Sequence, residues 1–129
     1  MQLVRFRVDL APRCSLGPGK IALLEEIAGK GSLTKAAASL GMSYRYAWLL
    51  VEDLNRSFTE PVTSSTVGGA RGGGVRLTRF GAEVVRRYHL ASRSIDAAAR
   101  RSLGPLLRKT ARGTRASEGS RARSIKRAA

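Results

Sequence analysis

Two helical patterns separated by only two residues constrain the fold of this chain more than any other feature. Residues 33–40 are rich in small side chains, and residues 43–58 carry one apolar stripe made of Ala47, Leu50, Val51 and Leu54. Ser32 before the first pattern and Ser43 at the start of the second are the expected N-caps, and Gly41 lies between the patterns. The order of short helix, glycine turn and longer helix predicts a helix-turn-helix. An αα-corner without a nucleic-acid role remains the alternative.

Upstream of this pair, the chain changes its hydrophobic period. Apolar and polar residues alternate over residues 3–10, which predicts a half-buried strand with an inner face of Val4, Phe6, Val8 and Leu10. From residue 20 to about residue 29 the apolar residues recur at helical spacing. We therefore expect a strand and then an amphipathic helix before the helix-turn-helix.

Downstream, the pattern predicts a hairpin and one long helix. Residues 62–67 and 75–77 have strand character and flank a glycine-rich loop. Residues 79–103 follow as a helix, which Gly104 and Pro105 are expected to end. The predicted fold class is mainly α with a small β-sheet: a winged helix-turn-helix with a long C-terminal linker or dimerisation helix. A plain surface loop remains the alternative for the glycine-rich segment.

The last helix carries a narrow apolar seam with coiled-coil spacing. Its members step by three or four residues and are Phe80, Val84, Tyr88, Ala91, Ile95 and Ala98. The seam is either core packing or a dimer interface, because so long a helix exceeds what a small domain can bury. We expect a division, with the early turns in the core and the turns after about Tyr88 pairing in a homodimer.

Charge restricts the class of partner. The chain has 129 residues and a formal net charge of +15, which favours polyanionic partners such as nucleic acid. We expect a domain over residues 1–103 and a basic, disordered tail over residues 104–129, where eight Lys/Arg face one acid. The tail adds sequence-independent phosphate contacts or only aids solubility, and both interpretations stay open.

Other features exclude whole classes of function. A lone cysteine, Cys14, and a lone histidine, His89, cannot build a Cys/His zinc site, and we expect neither to have a functional role. No apolar run approaches the length of a membrane span, and the N-terminus does not resemble a signal peptide. We therefore expect a cytoplasmic, nucleoid-associated protein that binds no metal or cofactor, contacts no membrane and is not an enzyme.

The residue types at the start of the second motif helix suit a DNA surface. This part displays Ser43, Tyr44, Arg45 and Trp48, and arginine can bond bidentately to guanine. Trp48 could instead belong to the core. Arg71 marks the tip of the wing, whose glycines allow a close approach to phosphates. The predicted DNA-binding residues are Ser32, Thr34, Lys35, Ser43, Tyr44, Arg45, Trp48, Arg71, Gly72, Gly73 and Arg76.

These strings resemble a known family. GMSYRYAW at residues 41–48, followed by EDLN at 52–55, resembles the recognition helix of the molybdate-responsive transcriptional regulators of the ModE type. GGARGGG at 68–74 and LTRFG at 77–81 are similar to that family's wing and linker, and SLTKAA at 32–37 also resembles LysR-type regulators. The resemblance covers roughly residues 3–100.

The resemblance implies a winged-helix DNA-binding domain that dimerises through helices outside the motif. It implies that the recognition-helix residues face DNA and that Arg71 and its glycines form the wing tip. Family members also carry a C-terminal oxyanion-binding region, whereas residues after 103 show no strand pattern here. We therefore do not expect these residues to sense molybdate. A separate sensor protein or a small-molecule effector is an expected further partner.

Three hypotheses follow. The leading one is a prokaryotic transcriptional regulator that binds double-stranded DNA sequence-specifically as a homodimer, with helix 43–58 in the major groove and wing 62–77 on the backbone or minor groove. The alternative is a nucleoid-type structural protein with little sequence preference. The third is a protein-interaction module whose winged helix has lost DNA binding.

Overall fold

The computed structural model describes residues 2–66 and 74–111. Eight elements follow one another in this part of the chain. They are β1 (Val8–Ala11), β2 (Cys14–Leu16), α1 (Pro18–Lys30), α2 (Leu33–Ser39), α3 (Tyr44–Ser57), β3 (Thr63–Thr66), β4 (Gly74–Leu77) and α4 (Arg79–Leu107). The strands form two antiparallel hairpins, β1 with β2 and β3 with β4. This order confirms the predicted winged helix-turn-helix.

The first strand is shorter than the prediction of residues 3–10. Strand β1 begins at Val8 because its partner β2, which the sequence did not predict, reaches it only between the pairs Val8–Leu16 and Ala11–Cys14. The preceding residues lie along α4 instead, where the Phe6 ring stacks on Tyr88 at 4.5 Å. The alternation of burial holds up to Val8 but fails at Leu10, which is exposed.

The two helices of the helix-turn-helix begin and end within one residue of the predicted ranges, 33–40 and 43–58. The Ser32 hydroxyl accepts from the Lys35 amide at 3.2 Å, and the Ser43 hydroxyl accepts from the Tyr46 amide at 3.1 Å. Such caps satisfy amide groups that have no partner inside the helix. Gly41 turns the chain between the two helices with φ 67°, a left-handed conformation that favours glycine.

The wing hairpin is fastened to the helices at both of its ends. The Val75 amide donates to the Gly31 carbonyl at 3.2 Å, and the Thr78 amide donates to the Val62 carbonyl at 3.0 Å. A Cβ built on Gly81 would lie 2.0 Å from that same Val62 oxygen. Only glycine therefore lets the start of α4 approach the start of the wing this closely.

Helix α4 runs past Gly104 and Pro105, so the prediction that these residues end it was wrong. It continues to Leu107, where the Arg108 amide donates to the Gly104 carbonyl at 3.2 Å. A proline this close to the helix end removes only one backbone hydrogen bond, and the freed carbonyl lies on an exposed turn where water can bind it. Of the predicted tail, residues 112–129 lie outside the described part of the chain.

Two apolar clusters form the core. One joins α1 and α3 to α4 and includes Leu24, Leu54, Val62 and Val84. The other joins α1, α2 and α3, where Ala36, Ala37 and Ala47 are fully or almost fully buried. The small side chains of α2 let the helices of the motif approach closely. Helix α3 is thus held on its inner face while its outer face remains open.

The seam of α4 divides along its length. Val84 and Tyr88 are buried, whereas Ala91 and Ile95 are exposed. The Tyr88 hydroxyl donates to the Phe6 carbonyl at 2.7 Å, and burial raises the pKa of this phenol. The first turns of α4 therefore cover the core, and the later turns leave apolar side chains in solvent.

Candidate nucleic-acid interface

The exposed face of α3 begins directly after the turn of the motif. Tyr44 is 54% exposed and Trp48 is 44% exposed, and Arg45 is exposed between them. The buried side of the same helix consists of Ala47, Val51 and Leu54. Trp48 therefore does not belong to the core, which was the alternative that its neighbour Ala47 had left open.

A polar groove of about 330 Å³ lies between α2, α3 and the wing hairpin. It brings together four of the predicted residues, which are Ser32, Thr34, Tyr44 and Trp48. The remaining walls come from α3 and from the wing strands, through Glu52, Asn55, Thr63, Ser65 and Thr66 among others. Residues that are far apart in sequence thus share one surface, next to the N-terminus of the second motif helix.

Other predicted residues lie around this groove. Ser43, Lys35 and Arg45 are exposed at the starts of the two helices but do not line it. Arg76 alternates with Val75 and Leu77, which pack against the core, so it lies on the outer face of the hairpin. The predicted wing-tip residues Arg71, Gly72 and Gly73 lie outside the described residues.

The cations near the groove are open to solvent. Within residues 2–66 and 74–111, no salt bridge involves Lys35, Arg45 or Arg76. Glu52 is the one acidic residue that lines the groove, and its carboxylate lies 3.9 Å from the Arg56 guanidinium. Such a surface attracts a polyanion. Arg45 and Arg76 are in no salt bridge among the described residues, so their guanidinium groups can donate hydrogen bonds to that partner.

Asn55 was not among the predicted site residues, yet it joins α3 to the wing. Its Oδ1 accepts from the Val62 amide at 2.7 Å and from the Thr63 amide at 3.3 Å. Its Nδ2 donates to the Thr63 hydroxyl at 3.0 Å. Two features of the sequence could have pointed to Asn55. It is a polar residue outside the apolar stripe of α3, and it belongs to the EDLN string at residues 52–55 that resembles the family. Asn55 thus ties α3 to the start of the wing hairpin.

Thr78 performs a related task at the far end of the wing. Its hydroxyl donates to the Pro61 carbonyl at 2.7 Å and accepts from the Gly81 amide at 2.9 Å. One side chain therefore caps α4 and ties it to the loop before β3. The contact with Pro61 has no local sequence signal, since the partner lies 17 residues away.

Two side chains that we expected to have no role have defined surroundings. Cys14 is buried in β2, and burial raises the pKa of its thiol, which disfavours the reactive thiolate. His89 lies 3.0 Å from the Glu25 carboxylate, a partner on α1 that its place in the sequence did not reveal. Neither residue lines the groove beside α3.

The described residues lack two other kinds of feature. No group of three or more His, Cys, Asp or Glu side chains there could hold a metal ion. In the same part of the chain, no helix has the length and apolar character that crossing a membrane requires.

Comparison with known proteins gave several relatives, although no protein-family model matches the chain. It is 37% identical over 87 residues to the transcriptional regulator ModE of Yersinia pestis, covering 67% of this chain and 33% of that protein. It is 35% identical over 86 residues to the molybdenum transport protein ModE of Azotobacter vinelandii, covering 67% and 32%. It is 36% identical over 96 residues to the molybdenum-pterin-binding protein MopA of Rhodobacter capsulatus, covering 74% and 34%. The chain spans about one third of the length of these curated relatives.

Proposed function

This chain carries the N-terminal winged helix-turn-helix domain of the ModE-type regulators, and from that premise we propose that it binds double-stranded DNA sequence-specifically as a transcriptional regulator. One observation carries the proposal. The first turns of α3 expose Tyr44, Arg45 and Trp48 beside a groove that the wing strands close. On a domain of this family, that surface is the expected site of base recognition.

The dimensions of α3 suit the major groove. An α-helix with its side chains is about 10–12 Å across, and the major groove is about 12 Å wide. Arg45 would bond the O6 and N7 atoms of a guanine, while Tyr44 and Trp48 would contact thymine methyl groups or phosphates. All three side chains are exposed, so none has to leave the core to reach DNA.

Residues beside α3 would hold the phosphate backbone. Ser32, which caps α2, and Thr34 in its first turn line the groove, and Lys35 is exposed in the same turn. Arg76 lies on the outer face of the wing hairpin, where it would contact the backbone or the minor groove. The proposed contacts of Arg71, Gly72 and Gly73 rest on the sequence alone. Such contacts fix the register of the protein without reading sequence.

We further propose that the protein acts as a homodimer through the later turns of α4. An apolar groove of about 640 Å³ lies between β1 and α4, and it contains five of the six seam residues together with Leu10. Leu10 is 56% exposed and Ile95 is 37% exposed. A second copy that covers this groove would place two recognition helices about one DNA turn apart, as a palindromic site requires.

The effector and the location remain part of this proposal. The names of the relatives link two of them to molybdenum, in transport and in molybdenum-pterin binding. The chain spans only about a third of those proteins. We propose that its further partner is a small-molecule effector or a separate sensor protein. The nucleoid location in the cytoplasm follows from DNA binding and stays a prediction.

Selection from a pool of random duplexes across a salt series tests the proposal with the full chain. Enrichment of a palindrome with half-sites about 34 Å apart would support a dimeric regulator. Tight binding without enrichment, with a steep dependence on salt, would favour the nucleoid-type alternative that the charge of +15 suggests. Failure to bind any duplex would leave only a protein-interaction role.

The oligomeric state is tested separately by sedimentation equilibrium. Ile95→Glu places a charge in the apolar groove and should convert the dimer to a monomer. Leu90→Glu is the matched control, because Leu90 is 47% exposed on the same helix but does not line the groove. A monomeric wild-type protein, or a dimer that survives Ile95→Glu, would contradict the proposed interface.

A further inference from the structure

The recognition helix exposes more apolar surface than its core stripe explains. Ten large hydrophobic side chains are exposed in the described part of the chain, and four of them are Tyr44, Tyr46, Trp48 and Leu49. Single exposed apolar residues are ordinary on protein surfaces, whereas a contiguous group marks a contact surface. Leu49, which is 44% exposed, is not among the predicted DNA-binding residues.

Helix geometry puts Leu49 on the outermost side of α3. It lies two residues after Ala47 and two before Val51, which are both buried, and two residues correspond to a rotation of about 200°. Leu49 is therefore on the side opposite the core. It follows Arg45 by four residues, so the two side chains share one face, and both lie outside the polar groove beside the wing.

We propose that Leu49 contacts the 5-methyl group of a thymine in the major groove, close to the guanine that Arg45 reads. This inference rests on the proposed DNA binding, and it predicts two of the bases in each half-site of the DNA. Leucine has no hydrogen-bonding group, and the thymine methyl is the apolar feature that base edges present in the major groove. The face of α3 thus combines a reader of guanine with a reader of thymine.

The spacing limits where that thymine lies. Four residues of α-helix advance by about 6 Å, and successive base pairs are about 3.4 Å apart. A helix that lies along the groove therefore places Leu49 about two base pairs from the guanine at Arg45. The half-site should contain a guanine with a thymine, on either strand, within this distance.

Replacement of thymine by deoxyuridine tests the contact, because it removes only the methyl group. The full chain is bound to its selected duplex with deoxyuridine at each thymine position in turn. One position about two base pairs from the guanine should lose about fourfold in affinity, the effect expected for one buried methyl group. Leu49→Ala should bind the thymine and deoxyuridine duplexes there equally well.

Leu90→Ala provides the matched control, since Leu90 is a similarly exposed leucine on α4 and should keep the full discrimination. Circular dichroism of both variants checks that the fold is unchanged. A selected site that tolerates deoxyuridine at every position, or a Leu49→Ala variant that still discriminates, overturns the thymine contact while leaving DNA binding intact. Absence of any selected site refutes the proposed function and this inference together. Capture of a protein partner through Leu49, with no effect of deoxyuridine, would also overturn it.

Discussion

Replacement of Asn55 by alanine should weaken the junction between α3 and the wing hairpin. The side chain makes three hydrogen bonds to the start of β3, of which the shortest joins Oδ1 to the Val62 amide at 2.7 Å. Val62 is fully buried and Thr63 is 8% exposed, so water cannot easily replace the lost acceptor. The variant leaves the Val62 amide without a partner in the interior.

The magnitude follows from these contacts. A buried donor without a partner costs about 1–3 kcal/mol, and the short bond to Val62 belongs in the upper half of that range. The longer bond to the Thr63 amide, 3.3 Å, adds less. Alanine recovers about 0.5 kcal/mol, since it is a better helix former than asparagine. We therefore expect Asn55→Ala to lower the free energy of unfolding by about 2 kcal/mol.

Urea denaturation followed by circular dichroism, at one fixed protein concentration, measures this change. Asn55→Asp is the matched control, because a carboxylate keeps the acceptor for both amides and can accept from the Thr63 hydroxyl. It should lose less than half as much stability as the alanine variant. A loss below about 0.5 kcal/mol for Asn55→Ala, the range of ordinary surface substitutions, would refute the role assigned to this side chain.

Three further predictions concern other parts of the domain. Gly81→Ala should cost more than about 2 kcal/mol in urea denaturation, because the new Cβ would meet a backbone carbonyl oxygen at 2.0 Å; an unchanged midpoint would contradict the close approach. Asp96→Asn should reduce the loss of thermal stability between about pH 6 and about pH 2.5, measured by calorimetry. Hydrogen bonds from Arg100 and from a backbone amide hold the pKa of the native Asp96 carboxyl below its ordinary value. This stabilisation is therefore present above the unfolded-state pKa of about 3.9 and disappears as the pH falls through the lower native value; equal acid sensitivity of both proteins would argue against it. Arg45→Ala should weaken binding to the selected duplex by about 1–3 kcal/mol in fluorescence anisotropy, while Arg101→Ala on the far part of α4 should not. An unchanged preference of Arg45→Ala for the selected duplex over other sequences would show that Arg45 does not contact a base.

The candidate site was partly predictable from local patterns. Ser43, Tyr44 and Trp48 follow from a helix whose apolar stripe accounts for its buried side, so the remaining side chains must face outward. Leu49 obeyed the same rule but was not recognised, because an apolar residue off the stripe resembles core material in a sequence. Asn55 was also missed, since its role depends on backbone groups of the following loop.

Local patterns determined where α2 and α3 begin and end and the glycine turn between them, because capping hydrogen bonds within a few residues decide these boundaries. Tertiary structure alone decided which surfaces meet. Strand β1 became short because Leu3 and Phe6 bond to α4, more than 80 residues away, where Asp96 accepts from the Leu3 amide and Tyr88 donates to the Phe6 carbonyl. Gly81 is required because α4 crosses Val62, and periodicity contains no information about that distance. A pattern specifies the apolar face of a segment, whereas the partner of that face depends on contacts that form only when distant segments pack together.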